Sequence, residues 1–212
     1  MAEEERTIAF ADLSGFTALT EAHGDEAGTE IALRFYEMTR SVLRGGAVLV
    51  KTIGDAVMLA VPDSRNAVEI VLALQALTDS TPNFPILRAG LHAGPANEAC
   101  HDYFGACVNI AARVAAHARA GQILCTAAVA ERIADSHLCT AIRLGPVTFH
   151  NVHDPVVVYE LRRASAVGTS IIDPVCRMHV TAESSVARVR RGTGDAHFCS
   201  VACLRRWLQE AS

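Results

Sequence analysis

Val48-Leu49-Val50-Lys51-Thr52-Ile53-Gly54-Asp55-Ala56-Val57-Met58-Leu59-Ala60-Val61 is the stretch that decides the fold. Val48 to Lys51 and Ala56 to Val61 are apolar runs of strand length, and the Thr-Ile-Gly-Asp between them reads as a hairpin turn. A hairpin makes its two strands antiparallel, so the sheet that holds it is not the all-parallel sheet of a doubly wound protein. Toward the N-terminus, Thr7 to Leu13 reads as a short apolar strand. Ser14-Gly15-Phe16-Thr17 then offers a turn and an N-cap before one long helical segment, which Gly45-Gly46 stops near Arg44. Toward the C-terminus, a helix from about Arg65 to Thr78 presents Val68, Val71, Leu72, Leu74 and Leu77. Pro82 and Pro85 break the chain before a strand around Leu87 to His92. Gly105 opens a further helix that runs through Arg119, and Ala141 to Phe149 with Val156 to Leu161 form a closing strand pair. Strands and helices that alternate irregularly around a hairpin predict an α+β fold with an antiparallel-rich sheet.

The chain has 212 residues, half of them apolar and a fifth charged, enough for one sizeable core and a small appendage. Nineteen basic against twenty-three acidic residues leave a net charge of −4, which argues against nucleic acid or an anionic membrane as the main partner. Lys51 is the only lysine; every other basic residue is arginine. The acidic start carries no secretory signal pattern, and the longest stretch free of charge, Ala120 to Ala130, falls short of the ~20 residues that span a bilayer. A cytoplasmic protein without membrane insertion is expected. Seven cysteines without a signal peptide fit free thiols or metal ligands rather than a disulfide framework. Composition divides the chain into a body at 6–162, an Ala/Ser/Gly-rich linker at 163–170 and a Cys- and Arg-rich unit at 171–212.

Three segments carry the chemistry of the body: Phe10-Ala11-Asp12-Leu13-Ser14-Gly15-Phe16-Thr17, Lys51-Thr52-Ile53-Gly54-Asp55, and Asp102-Tyr103-Phe104-Gly105 continuing through Asn109-Ile110-Ala111-Ala112-Arg113. Asp12 at a strand end and Asp55 at a hairpin tip are hard oxygen donors suited to Mg²⁺ or Mn²⁺ beside nucleotide phosphates. Singly, each is also a common cap or turn residue. Asn109 and Arg113, four apart on a helix, share one face. Lys51 is a hydrogen-bond donor and Asp102 an acceptor.

Together and in this order, the segments resemble the class III nucleotidyl cyclase catalytic domain over roughly residues 6 to 162. The resemblance implies a ferredoxin-like fold and a homodimer whose sites form between subunits. It further implies two Mg²⁺ or Mn²⁺ ions per site on Asp12, Asp55 and the backbone carbonyl of Leu13. Asn109 would orient the ribose of ATP, Arg113 would stabilise transition-state charge, and Lys51 and Asp102 would bind the base. Many relatives also place a lysine on the late strand pair to grip the terminal phosphates. This chain has none there, and His150 and His153 are the nearest candidates. The expected activity is adenylate cyclase; a guanylate cyclase and a non-catalytic nucleotide-binding, metal-sensing dimer are the alternatives.

In the small unit, Asp173-Pro174-Val175-Cys176 followed by His197-Phe198-Cys199-Ser200 and Cys203 resembles the YHS domain, a module associated with heavy metals. Cys199 and Cys203 are four apart at the start of a helix, so both thiols can face Cys176. Three thiolates suit Zn²⁺ or Cu⁺, with His197 or His179 as a fourth ligand. Three buried, inert cysteines are the alternative.

Overall fold

The computed structural model describes residues 3–163, 171–181, 183–191 and 194–210; the expected linker lies outside them beyond Arg163. The body runs β1 (Glu3–Leu13), α1 (Phe16–His23), α2 (Asp25–Val42), β2 (Val48–Ile53), β3 (Ala56–Val61), α3 (Ser64–Asp79), β4 (Leu87–Ala99), β5 (Asp102–Phe104), α4 (Ala106–His117), β6 (Ile123–Thr126), α5 (Ala127–Ala130), β7 (Cys139–Val147) and β8 (Val156–Arg163). Its sheet has the order β2-β3-β1-β4-β6-β8-β7, with β5 paired to β4. Only β4 and β6 run parallel; the other pairings are antiparallel. The first four long strands and their helices form the β-α-β-β-α-β pattern of a ferredoxin-like core.

Alternation along the strands divides the core between two faces. Ala9, Ala11 and Leu13 of β1 and Val57, Leu59 and Val61 of β3 pack with Phe35 of α2 and Val68, Val71 and Leu74 of α3. Ile8, Met58 and Ala60 point the other way, toward Cys107 and Ala111 of α4. Gly90 permits the close approach of α4, because a Cβ there would lie 2.0 Å from the Ala115 backbone nitrogen. In this way the sheet fixes the helix that carries Asn109 and Arg113.

Two expectations change. The single long helix is two helices, broken at Gly24, whose φ of 89° and ψ of 163° suit glycine alone; Asp25 and Glu26 then begin α2 where its amide dipoles favour negative charge. The strand expected around Leu87 to His92 continues to Ala99 and turns back as β5. The strand β6, four buried residues long, was not expected at all.

The C-terminal residues form β9 (Ile171–Ile172), β10 (His179–Val180), β11 (Ala187–Arg191), β12 (Gly194–Phe198) and α6 (Val201–Glu210), in two short antiparallel ladders and a helix. They pack on the body. Leu19 of α1 is buried among Val175, Cys176, Met178, Phe198 and Cys203, and His179 exchanges backbone hydrogen bonds with Asn83 and Phe84. No helix among the described residues is long and apolar enough to cross a membrane.

Candidate active site

Asp12 lies one residue from the end of β1, directly opposite Ala56 of β3 and Arg88 of β4. It caps no helix, since Gly15 is the N-cap of α1. Arg88 donates to Asp12 Oδ2 twice, from Nη2 at 2.6 Å and Nε at 3.2 Å, and leaves Oδ1 outside that ion pair. Asp55 follows Gly54 at the β2–β3 tip, where φ of +60° at Gly54 makes the turn. Two bonds hold the tip in place: the Leu13 amide donates to the Asp55 carbonyl at 3.3 Å, and the Tyr36 hydroxyl donates to the Gly54 carbonyl. Burial, and after it the adjacent Asp12 carboxylate, push the Asp55 carboxyl up from 3.8 to about 6. Two half-buried carboxylates that resist being charged together are the donor set a hard divalent cation would relieve.

Lys51 and Asp102 meet within one chain, Nζ to Oδ2 at 2.6 Å. The Lys51 ammonium holds the Asp102 carboxyl below its ordinary value. Asp102 is placed by the tight return from β4 to β5: Cys100 and His101 both adopt positive φ, 52° and 58°, as a two-residue hairpin of this hand requires. Its other oxygen accepts the Tyr103 amide at 2.8 Å, and the Tyr103 hydroxyl donates to Glu98. Lys51 pairs in register with Met58, so it shares the α4 face of the sheet with Asp12 and Arg88.

Asn109 and Arg113 stand on the exposed side of α4, whose inner side buries Cys107, Ala111, Val114 and Ala115. No ion pair among the described residues joins the Asp12–Asp55–Arg88 group to the Lys51–Asp102 pair. His150 and His153 lie in the exposed loop between β7 and β8, where His153 pairs with its neighbour Asp154 at 3.0 Å. Arg88 went unnoticed in the sequence, although an arginine between Leu87 and Ala89 in an apolar strand was a visible signal.

Cys176, Cys199 and Cys203 come together, and His23 at the end of α1 joins them; these four donors lie within 4.8 Å of one another. Neither His179 nor His197 belongs to the group. His179 Nε2 faces Asp79 at 3.3 Å, and His197 stands on β12 opposite Arg188. Hydrogen bonds with Cys176 and then Cys199 hold the Cys203 thiol far below its ordinary value, while those with Cys199 and Cys203 push Cys176 far above. The remaining cysteines stand apart: Cys107 and Cys125 are buried, and burial raises their thiols to about 11 and about 12.

A ferredoxin-like core extended into a mixed sheet, with carboxylates at the end of β1 and the β2–β3 tip, is the architecture of the class III nucleotidyl cyclases. Residues 2–159 match the adenylate and guanylate cyclase catalytic domain, and the chain belongs to that family. It is 36% identical over 162 residues to a pH-sensitive adenylate cyclase of Mycobacterium tuberculosis; the match covers 75% of this chain and 41% of that protein. The chain thus spans about two fifths of the length of this relative. Among solved structures it resembles an adenylate cyclase of Trypanosoma brucei in its monomeric state, with TM-score 0.70 and 24% identity over 79% of this chain and 92% of that one. It also resembles the guanylate cyclase domain from Catenaria anguillulae in complex with GTP, with TM-score 0.68 and 21% identity over 77% of this chain and 99% of that one. Adenylate and guanylate cyclases share this fold, so the choice of base rests on the residues of this chain.

Proposed function

We propose that the chain is an adenylate cyclase that converts ATP to 3′,5′-cyclic AMP and pyrophosphate as a homodimer. The observation that carries the choice of ATP is the Lys51–Asp102 pair at 2.6 Å. Lys51 Nζ keeps donors for adenine N1, and Asp102, ionised beside the ammonium, accepts from the 6-amino group. Guanine would set its N1 donor against the ammonium and its O6 acceptor against the carboxylate. Asp12, Asp55 and the Leu13 carbonyl hold the divalent ions. When bound, two Mg²⁺ or Mn²⁺ ions lower the pKa of the ribose 3′-hydroxyl and offset charge on the departing pyrophosphate. Asn109 orients the ribose so that the 3′-oxygen faces the α-phosphorus, and Arg113 supplies a fixed guanidinium to the charge that builds there.

The dimer follows from what one chain leaves open. Asn109 and Arg113 are exposed on α4, the carboxylate group and the base-reading pair form separate clusters, and Val48, Ile53 and Phe104 expose apolar side chains beside them. A partner that covers this surface would complete two equivalent sites by symmetry. Mixing subunits tests this. Asp55→Asn and Arg113→Ala homodimers should each be inactive, while equal mixing yields half heterodimers, each with one intact site, and so about a quarter of wild-type activity. A mixture as inactive as its parents would overturn the shared site. Wild-type protein that binds ATP but forms no cyclic AMP would leave a nucleotide-binding dimer, the reading favoured by the missing phosphate lysine. We place the protein in the cytoplasm and read 171–212 as a YHS-like unit whose Cys176, Cys199 and Cys203 bind a soft or borderline ion that modulates the cyclase.

A further inference from the structure

His23 and the three cysteines come from opposite ends of the chain. His23 is the last residue of α1, Cys176 lies in the turn after Asp173, and Cys199 and Cys203 bracket the start of α6. The donor atoms converge: Cys199 Sγ to Cys203 Sγ 3.7 Å, Cys176 Sγ to Cys199 Sγ 3.3 Å, His23 Nε2 to Cys203 Sγ 3.4 Å and to Cys199 Sγ 3.6 Å. A tetrahedral Zn²⁺ with Zn–S of about 2.3 Å and Zn–N of about 2.0 Å has S···S edges of about 3.8 Å and S···N edges of about 3.5 Å. These four of the six edges fall within half an ångström of those lengths, and all four donor atoms lie within 4.8 Å of one another. A disulfide does not account for them, since a bonded S–S pair is about 2.05 Å apart and gives His23 no part.

The surroundings hold the ligands in place. Asp173 is fully buried, and its oxygens accept the backbone amides of Val175 at 2.8 Å, Cys176 at 3.2 Å and Cys199 at 2.8 Å. Occupied in this way, Asp173 fixes two of the thiols from behind, as outer-shell groups do at metal sites. Ser200 Oγ accepts the Cys203 amide at 3.1 Å. The body meets the tail around the same point: Leu19 lies in the apolar cluster beneath the cysteines, Arg206 of α6 pairs with Glu21 of α1, and Gly15 lies against Arg177.

We infer that His23, Cys176, Cys199 and Cys203 form one Zn²⁺ site that spans the cyclase body and its C-terminal unit, so that the metal fastens the tail to helix α1. The inference rests on the tail trio being a metal centre, and it adds that the fourth ligand is a residue of the cyclase body. Three thiolates and one imidazole are the donor set of a closed structural zinc site. Part of the metal-binding energy then adds to the apolar and hydrogen-bonded contacts that already join the two units.

The test is a Co²⁺ titration of the reduced full-length protein, followed by displacement with Zn²⁺. One equivalent should give thiolate-to-cobalt charge transfer and the d–d bands of tetrahedral Co²⁺. Ions held by Asp12 and Asp55 give no thiolate band, so the two sites are separable. Loss of an outer-shell partner typically weakens a metal site 10- to 100-fold, so removal of a ligand in His23→Ala should weaken it by about a hundredfold or more and shift the d–d envelope. His23→Cys should restore affinity with stronger charge transfer, which separates ligand loss from misfolding. Hydrogen exchange of residues 16–23 should slow when Zn²⁺ is added to wild type and not to His23→Ala. If His23→Ala matches wild type in affinity and spectrum, the link to α1 is refuted while the trio stands as a centre. If reduced wild type takes up neither Co²⁺ nor Zn²⁺ at the thiols, both readings fall.

Discussion

Asp55 should make metal binding at the active site depend on pH in a range where an ordinary aspartate would not. Its carboxyl, raised from 3.8 to about 6 first by burial and next by Asp12, must be ionised to bind a cation. About nine tenths of the group is ionised at pH 7 and about one tenth at pH 5, so the Mn²⁺ affinity should fall about tenfold between them. A carboxyl with the value 3.8 would lose less than about a tenth of its ionised form over the same interval. Isothermal titration of the nucleotide-free protein with Mn²⁺ at the two pH values measures this directly. Asp12→Asn removes the like charge, so in that variant ¹³C titration of Asp55 should end below about 6 yet above 3.8, because burial remains. The stability of the metal-free protein has the opposite sign. Between 3.8 and about 6 the folded state binds more protons at Asp55 than the unfolded one, so this group favours folding as the pH falls through that window. A Mn²⁺ affinity that changes less than about twofold from pH 7 to pH 5 would refute the argument.

Lys51→Met and Asp102→Asn should each lower kcat/KM for ATP about 10- to 100-fold, the value of a hydrogen bond to a charged partner, with a smaller loss for GTP; parallel assays of both nucleotides check this. Gly90→Ala sets a Cβ 2.0 Å from the Ala115 backbone nitrogen and should cost about 3 kcal/mol or more in denaturant unfolding, with turnover falling because α4 shifts. Burial, then the charge of Arg132, lower His92 from 6.5 to about 4; stability present above pH 6.5 is therefore lost as the pH falls toward 4. In His92→Gln, Tm should decline less over that range, while an unchanged decline would assign it to other groups.

Much of this was legible because the signals were local. A glycine-aspartate tip between two apolar runs locates Asp55, and helical spacing places Asn109 and Arg113 on one face. What sequence missed depends on tertiary partners. Gly24 lies between segments that each read as helix, and only its backbone angles reveal the break. The strand β6 is four buried residues with no periodicity to mark it. Asp102 was visible as a residue type, but its position depends on a hairpin formed by Cys100 and His101, neither of which signals a turn. His23 is the clearest case, for a histidine at a helix end reads as a residue that complements the helix dipole. Its partners lie more than 150 residues later, and two nearer histidines were the natural candidates.

The β1–α1 turn is the physical link between the two proposed metal sites. Asp12 and Leu13 end β1, the Leu13 amide bonds the Asp55 carbonyl, and the Ser14 amide bonds the Ile86 carbonyl at 2.8 Å. One residue on, Gly15 takes a φ of +79° with Arg177 packed so closely that a Cβ would lie 2.5 Å from its Cγ and 3.3 Å from the Cys176 carbonyl. A metal that draws Cys176 toward His23 therefore braces the turn at both ends of α1. If this bracing affects the Leu13–Asp55 hydrogen bond, its scale is about 1 kcal/mol, or about fivefold in affinity. Zn²⁺ at the cysteines should then tighten Mn²⁺ binding at Asp12 and Asp55 by about that factor, and linkage requires Mn²⁺ to tighten Zn²⁺ binding by the same factor. Measuring both affinities with the other site empty and filled closes the cycle. A factor of one in either direction would show that metal at the tail does not influence Asp12 and Asp55.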